Sequence, residues 1–280
     1  MGEILKGKPG KCAVCGKFFE HLSFEHIQPH ATGNSGKALT LDLERILSDD
    51  YDFDHNGMRG KQSQGGAGEY SLCREHNSFF GKKYVPHYLD FVNSVSNLIR
   101  KTDKDDDYSK KVYSFETLIN PLLVSKQIVA MFLSLNYKNG GRSGSDFQKM
   151  NREYLLDVDS HEFPTDRFEI RMNLYLPSDY NGGIRSYQKK FLTNLDLTDN
   201  YENPLKRAIV YSEIQDFPVG FTLIDKRYST TIPKGGLSLN ELLTSPNQEQ
   251  KIVMFNVPII RGIEQTALPL APSLFSSREV

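Results

Sequence analysis

The spacing of apolar and polar residues predicts helices in the first half of the chain and strands mainly in the second half. Apolar residues at helical spacing predict helices over residues 39–47, 74–79, 85–99, 115–135 and 147–156. Short apolar runs or alternating positions predict strands over residues 18–27, 70–72, 168–176, 208–211, 217–224 and 252–257. This order of elements predicts an α+β fold whose C-terminal part contains an antiparallel sheet.

Two features interrupt the pattern. Pro121 lies inside the fourth helical segment, where it either opens a new helix at its first turn or kinks one. The charged run from Arg100 to Asp107 is the best candidate for a domain boundary, although a solvated loop inside one domain has the same composition. We predict one domain over residues 1–100 and a second over residues 113–280, which serves regulation, recognition or assembly.

Composition and charge exclude several classes of protein. The chain has 280 residues and near-average composition, which excludes disordered, collagenous and disulfide-rich scaffolds. It begins without the apolar segment of a signal peptide, and residues 118–135 are too short and too polar to span a bilayer. We expect a cytoplasmic protein without membrane contact. The net charge of -1 leaves nucleic acid open as a ligand, because binding needs only a local basic surface.

The three cysteines and one histidine form two half-sites with the spacing of zinc ligands. Cys12 and Cys15 form a CxxC sequence, and Cys73 and His76 form a CxxH sequence. Each half-site can place two ligands on one side of a tetrahedral ion, so the pair predicts a structural zinc site. Taken alone, such a pair is more typical of a structural zinc module than of an enzyme.

An acid and a base lie between the half-sites. Glu25 and His26 are adjacent and precede Pro29, and Asn77 directly follows the second half-site. A carboxylate and an amide oxygen are ligands that Mg²⁺ accepts, and an imidazole can act as a general base near neutral pH. Six of the seven histidines lie in the first third of the chain, which places the expected chemistry there.

The succession of CxxC, Glu-His-Ile, CxxH-Asn and then Gly81 resembles the HNH (ββα-metal, His-Me finger) endonucleases. It is most similar to the zinc-bracketed branch that contains a phage junction-resolving endonuclease, over about residues 11–83. The resemblance implies two antiparallel strands and a helix around one catalytic Mg²⁺ or Mn²⁺, within an HNH domain over residues 1–100. It implies that His26 is the general base, that Glu25 and Asn77 bind the catalytic metal, and that Cys12, Cys15, Cys73 and His76 bind zinc.

The sequence departs from the family pattern in three places. Glu25 occupies the position of the common aspartate, and His76 stands where cysteine is usual. The middle asparagine, which braces the loop a few residues before the second half-site, is replaced by Ala67, Gly68 and Glu69. That brace is therefore missing or supplied elsewhere. The connection over residues 31–68 is long, which costs little because closure entropy rises only logarithmically with length.

The resemblance implies a metal-dependent HNH endonuclease that hydrolyses DNA, with RNA as an alternative substrate. Extra domains of this kind are typical of restriction or phage-defence effectors, and cutting both strands would favour a homodimer or a larger defence complex. Candidate contacts to the nucleic-acid backbone are Arg59, Lys61, Arg74, Lys82 and Lys83. The alternative function is a non-catalytic, zinc-stabilised module that binds nucleic acid or protein.

Overall fold

The computed structural model describes most of the chain at the level of helices and strands. The described residues are 7–35, 38–40, 61–63, 65–102, 113–136, 141–176, 185–194, 207–216, 218–227, 236–257 and 259–261. Within these ranges the fold is a mixed α+β arrangement with antiparallel sheets, as the sequence predicts.

The elements follow one another in an irregular mixture. The first part contains β1 (Lys8–Lys11), β2 (Phe18–His26), a short 3-10 turn (His30–Thr32), β3 (Ala38–Thr40), β4 (Lys61–Ser63), β5 (Gly68–Leu72), α1 (Arg74–Lys83) and α2 (Val85–Thr102). The remainder contains β6 (Tyr113–Ile119), α3 (Pro121–Asn136), α4 (Gly141–Leu156), β7 (Phe168–Leu176), β8 (Arg185–Asn194), β9 (Arg207–Asp216), β10 (Val219–Asp225), β11 (Leu237–Ser238), α5 (Asn240–Leu243), β12 (Gln250–Val257) and β13 (Ile259–Arg261).

A small antiparallel sheet with the strand order β1-β2-β5 carries the candidate site. Strand β2 pairs with β5 so that Ser23 lies opposite Leu72 and Phe24 lies opposite Tyr70. The register shifts between these two pairs, which leaves Ser71 of β5 as an extra residue, the arrangement of a β-bulge. Helix α1 begins two residues after β5 and contacts both β2 and β5.

The larger sheet has the strand order β11-β7-β10-β9-β8, and β13 pairs in parallel with β7. Alternation along β7 gives one apolar side, formed by Phe168, Ile170, Met172 and Leu174, all of which are buried. The predicted strands in this region are confirmed. Strand β8 had no clear alternation in the sequence and was not predicted.

Two predicted helices are wrong in part. Residues 115–119 form strand β6 instead of the start of a helix, and Pro121 opens helix α3. Strand β6 pairs with β12, which is more than a hundred residues later in the chain, and this distant pairing overrides the local helical pattern. Leu39 lies in strand β3, so the predicted helix does not begin there. The rest of that prediction, residues 41–47, lies outside the described residues.

Helix α3 is buried along its whole length. It contacts α1, α2, α4 and α5, together with β5, β8 and β9. Because its residues are buried on every side, the helix lies in the centre of the protein core. In the part of the chain that the structure describes, no helix combines the length and the apolar character needed to cross a membrane.

One charged side chain, Lys126, is fully buried inside this helix bundle. Its Nζ donates hydrogen bonds to the carbonyls of Tyr154, Asp157 (3.0 Å) and Ser160 (2.7 Å), at and just beyond the end of α4. Burial lowers the pKa of Lys126 to about 7, and Asp157 acts in the opposite direction. The three carbonyls match the three donors of an ammonium group and favour the charged form against its loss of hydration.

One continuous core joins the small sheet to the helices and to the larger sheet. The hydroxyl of Tyr84, between α1 and α2, donates to the carbonyl of Leu155 at 2.7 Å. The hydroxyl of Tyr88 donates to Asp216 Oδ2 of β9 at 3.0 Å. The division into domains over residues 1–100 and 113–280 stays a prediction.

We expect Lys126→Met to lower the free energy of unfolding by roughly 2–3 kcal/mol, because one buried and two partly buried carbonyls lose their donor. Urea unfolding of the zinc-loaded protein measures this change. Lys149→Met, at an exposed position of α4, is the matched control and should leave the midpoint unchanged. Equal midpoints for the two variants would contradict the assigned role of Lys126.

Candidate functional site

The four predicted zinc ligands come together in the structure. The ligand atoms of Cys12, Cys15, Cys73 and His76 all lie within 4.8 Å of one another. His76 Nδ1 lies 3.5 Å from Cys12 Sγ and 3.0 Å from Cys73 Sγ. A tetrahedral zinc ion holds its sulfur and nitrogen ligands roughly 3.5–3.8 Å apart, so this cluster needs only small adjustments to take the ion.

The backbone around the cluster explains how distant residues meet. The turn after β1 is closed by hydrogen bonds from Gly16 N to Cys12 O and from Cys12 N to Lys17 O, both 2.9 Å long. Ala13 N donates to Ser71 O at 2.7 Å, which holds this turn against the bulge of β5. Because Cys73 is the N-cap residue of α1, His76 lies in the first turn of that helix.

The protonation of His76 suits metal binding. Burial lowers the pKa of His76; Glu75 acts in the opposite direction, and Arg152 and Lys17 lower it further. A neutral imidazole is the form that binds a metal ion. The chemistry of the donor set, three thiols and an imidazole, is that of a closed structural zinc site.

Asn77 is placed by the same helical turn. Its Nδ2 donates to Ser23 Oγ and to the carbonyl of Phe24, both at 3.1 Å. The Phe24 carbonyl belongs to the peptide that leads into Glu25. With the nitrogen held in this way, Asn77 Oδ1 receives no hydrogen bond from the described residues and can act as a ligand on this side of β2.

Glu25 is a buried acid, with 8% of its surface exposed. No hydrogen bond or ion pair reaches its carboxyl group from the described part of the chain. Burial raises the pKa of Glu25 from 4.5 to about 8. A divalent cation would favour the charged form and would offset this loss of hydration. Alternation along β2 places Glu25 on the same side as Ser23, and hence toward Asn77.

His26 lies on the other side of the strand and is half-buried. Its Nε2 lies 2.9 Å from the carbonyl oxygen of Gly65. A carbonyl can only accept, so Nε2 carries the proton, and in the neutral ring the free lone pair belongs to Nδ1. The structure therefore places Asn77 near the Glu25 side of β2, and it directs His26 toward Phe24, His30 and Gly65.

A brace for the loop comes from Asn34, which the sequence analysis did not single out. Its Nδ2 donates to Gln28 O and Ala67 O, both at 2.8 Å, and its Oδ1 accepts from Ala67 N at 2.7 Å. The amide thus pairs with Ala67 much as a strand neighbour would, and it ties the exit of β2 to the entry of β5. The only local signal was the sequence Gly33-Asn34-Ser35-Gly36, which is also typical of an ordinary turn.

Two glycines allow this close packing. Gly66 has φ 97°, and a Cβ there would lie 2.2 Å from the Asn34 carbonyl oxygen. A Cβ on Gly68 would lie 2.3 Å from the Glu25 carbonyl oxygen. Larger residues at either position would push the β5 entry away from β2, and with it the Gly65 carbonyl that orients His26.

The predicted phosphate contacts are only partly described. Arg74, Lys82 and Lys83 are exposed on α1. Lys61 lies in β4 with its side chain outside the described residues, and Arg59 lies outside them entirely. Their contacts to nucleic acid stay predictions.

Comparison with known proteins gives no match: no protein-family model matches the sequence, and neither do the curated proteins or the solved structures. The resemblance to HNH endonucleases therefore rests on the residues of the four-ligand cluster and of the paired strands β2 and β5.

We expect the purified chain to bind one zinc ion, and we expect Cys73→Ser or chelation to unfold the N-terminal region, because the cluster ties together segments far apart in sequence. Elemental analysis gives the zinc content, and circular dichroism during thermal unfolding gives the stability. His21→Ala, an exposed non-ligand, should keep both. A metal-free chain that unfolds like the loaded one would contradict a structural role for zinc.

Glu25 gives a pH dependence whose sign is fixed by its raised pKa. The carboxyl group of Glu25 keeps its proton up to about pH 8 in the folded chain but only up to about pH 4.5 in the unfolded chain. The protonated group therefore contributes its full stability below pH 4.5, and this contribution is lost as the pH rises through 8. In this window the stability of the wild type, relative to Glu25→Gln, should fall by up to about 1.4 kcal/mol per pH unit without Mg²⁺.

Urea unfolding of the two proteins at a series of pH values, with zinc kept constant, measures this difference. Added Mg²⁺ should reduce the fall for the wild type and leave Glu25→Gln unaffected, because only a carboxylate attracts the cation. A difference between the two proteins that does not change with pH would show that Glu25 is already ionised in the folded chain.

Proposed function

We propose that this chain is a zinc-stabilised endonuclease of the HNH type, which hydrolyses phosphodiester bonds of DNA with Mg²⁺ or Mn²⁺. The observation that carries the proposal is the buried Glu25 carboxyl group, which has no described partner and directly precedes an oriented histidine. A purely structural zinc module has no use for a buried acid without a partner, since such a group costs stability.

The residues present fit a hard cation. Glu25 and Asn77 would supply a carboxylate and an amide oxygen, and Mg²⁺ commonly takes only one or two protein oxygens besides water and phosphate. The bound cation would supply charge stabilisation at the phosphate as the bond to the leaving oxygen breaks. The contact of Asn77 with Ser23 and Phe24 holds the amide in place before any cation arrives.

His26 would act as the general base. Its Nδ1 lone pair would take a proton from a water molecule, the water oxygen would form a bond to phosphorus, and the P–O bond to the leaving oxygen would break. The hydrogen bond from Nε2 to the Gly65 carbonyl fixes the ring and stabilises the imidazolium that forms. The Asn34 brace supports this hydrogen bond, because it holds the segment that carries Gly65.

One observation favours the alternative, a non-catalytic zinc-stabilised binding module. Alternation along β2 directs the side chains of Glu25 and His26 to opposite sides of the strand. In the endonuclease, the scissile phosphate would have to lie at the end of β2, where the strand stops at His26 and both side chains border the same end. The binding module predicts tight binding without any cation-stimulated cleavage.

The substrate class, the role as a restriction or phage-defence effector and the assembly as a homodimer or a larger complex belong to this proposal. A single site of this kind cuts one strand, so a double-strand break needs two chains or two events. RNA would satisfy the same chemistry, because the reacting phosphodiester is common to both nucleic acids.

We expect His26→Ala to slow Mg²⁺-dependent nicking of supercoiled plasmid DNA by roughly a hundredfold or more, which is the usual contribution of a general base. The mutant should keep its zinc, so the loss would reflect chemistry and not unfolding. His161→Ala, a distant and exposed histidine, serves as the control and should cut like the wild type. Undiminished cleavage by His26→Ala would contradict the assigned role of this residue.

A further inference from the structure

A continuous strip of rings borders the candidate base. His30 and His26 have ring centroids 5.2 Å apart, His26 and Phe24 are 5.1 Å apart, and Phe24 and Tyr70 are 5.3 Å apart. Lys8 Nζ lies 5.2 Å from the centroid of the Tyr70 ring and extends the row by one cation. We call this row of five residues the aromatic strip: Lys8, Tyr70, Phe24, His26 and His30.

The strip is open to solvent. Lys8 and His30 are exposed, and Phe24, His26 and Tyr70 are half-buried. Phe24 and Tyr70 lie directly opposite each other on β2 and β5, so the strip crosses this strand pair next to the expected cleavage site. The rings meet edge to face, the geometry in which aromatic side chains stabilise one another.

We propose that the aromatic strip binds an unpaired stretch of the nucleic-acid strand beside the phosphodiester that is cut. This inference rests on the proposed function and names its substrate class. Half-buried rings next to an exposed cation are complementary to bases next to phosphates, because bases stack on aromatic side chains and phosphates attract lysine. In a regular duplex the base faces are covered by neighbouring pairs, so Phe24 and Tyr70 gain stacking partners only from an unpaired strand.

Fluorescence anisotropy with labelled DNA tests the proposal without Mg²⁺, so that binding is measured apart from cleavage. The probes are a single strand, a fully paired duplex and the same duplex with an internal unpaired loop. The wild type should bind the first and third probes about tenfold more tightly than the duplex, because one stacked base contributes roughly a fivefold to hundredfold factor. Equal affinity for all three probes would overturn the proposal.

The variants locate the contact. Tyr70→Leu and Phe24→Leu keep an apolar side chain but lose the ring, and each should weaken binding of the looped duplex about tenfold with little effect on the paired duplex. Tyr70→Phe keeps the ring and should bind like the wild type. Phe18→Leu is the matched control, because this exposed ring lies at the far end of β2, roughly 26 Å from His26. If Tyr70→Leu binds the looped duplex as the wild type does, the proposal fails.

Lys8→Gln tests the strip even if a ring variant fails to fold. Lys8 is exposed, so this substitution is expected to leave the fold intact. It should weaken binding of the looped duplex severalfold and lower the salt dependence by about one phosphate contact. Unchanged binding would count against the strip. Zinc content and thermal unfolding of every variant show whether it is folded.

The two proposals fail in different ways. If Mg²⁺ produces cleavage of paired DNA that the Phe24, Tyr70 and Lys8 variants do not affect, the aromatic strip is overturned and the endonuclease stands. If the ring variants lose binding of unpaired DNA but the wild type cuts no probe with Mg²⁺, the strip is supported and the endonuclease fails.

Discussion

The structure of the N-terminal region depends on the meeting of four metal-ligand side chains. Cys12 and Cys15 lie in the turn after β1, whereas Cys73 and His76 lie at the start of α1. A zinc ion held by all four would fix the first turn of this helix against the turn that follows β1. Asn77, the next residue of this turn, then lies against β2. Its amide nitrogen donates to Ser23 and to the Phe24 carbonyl, which belongs to the peptide that leads into Glu25. The four-ligand cluster thus holds the start of α1 beside β2, and the proposed chemistry belongs to the neighbouring residues Glu25, His26 and Asn77.

Glu25 and His26 differ in environment because they are successive residues of strand β2 and face opposite sides of it. Glu25 faces inward, where burial raises its pKa to about 8, and His26 faces the ring-lined outer side with Nε2 held by a carbonyl. The hairpin keeps this arrangement through Asn34, whose amide joins β2 to the β5 entry, and through Gly66 and Gly68, which let the backbones approach. A buried carboxyl group and an imidazole whose Nε2 is held by a carbonyl therefore arise from alternation along β2 and from the Asn34 brace.

The rest of the chain supports this region through a shared core. Helix α3 is buried on all sides and contacts strand β5 of the small sheet and strands β8 and β9 of the larger sheet. Tyr84 and Tyr88 join the α1–α2 corner to the end of α4 and to β9. The position of α1 is consequently set from two directions, by the zinc cluster on one side and by this packing on the other.

The sequence by itself determined the four candidate zinc ligands, the α+β class and most helices and alternating strands, because ligand spacing and apolar periodicity are local properties. Only the tertiary structure decided that residues 115–119 form a strand, since their partner β12 lies far away in the chain. It also decided that Asn34 supplies the brace and that Glu25 is buried without a described partner. Such contacts depend on which distant segments meet, and closing a loop costs almost the same for many lengths, so the sequence between the segments does not specify them.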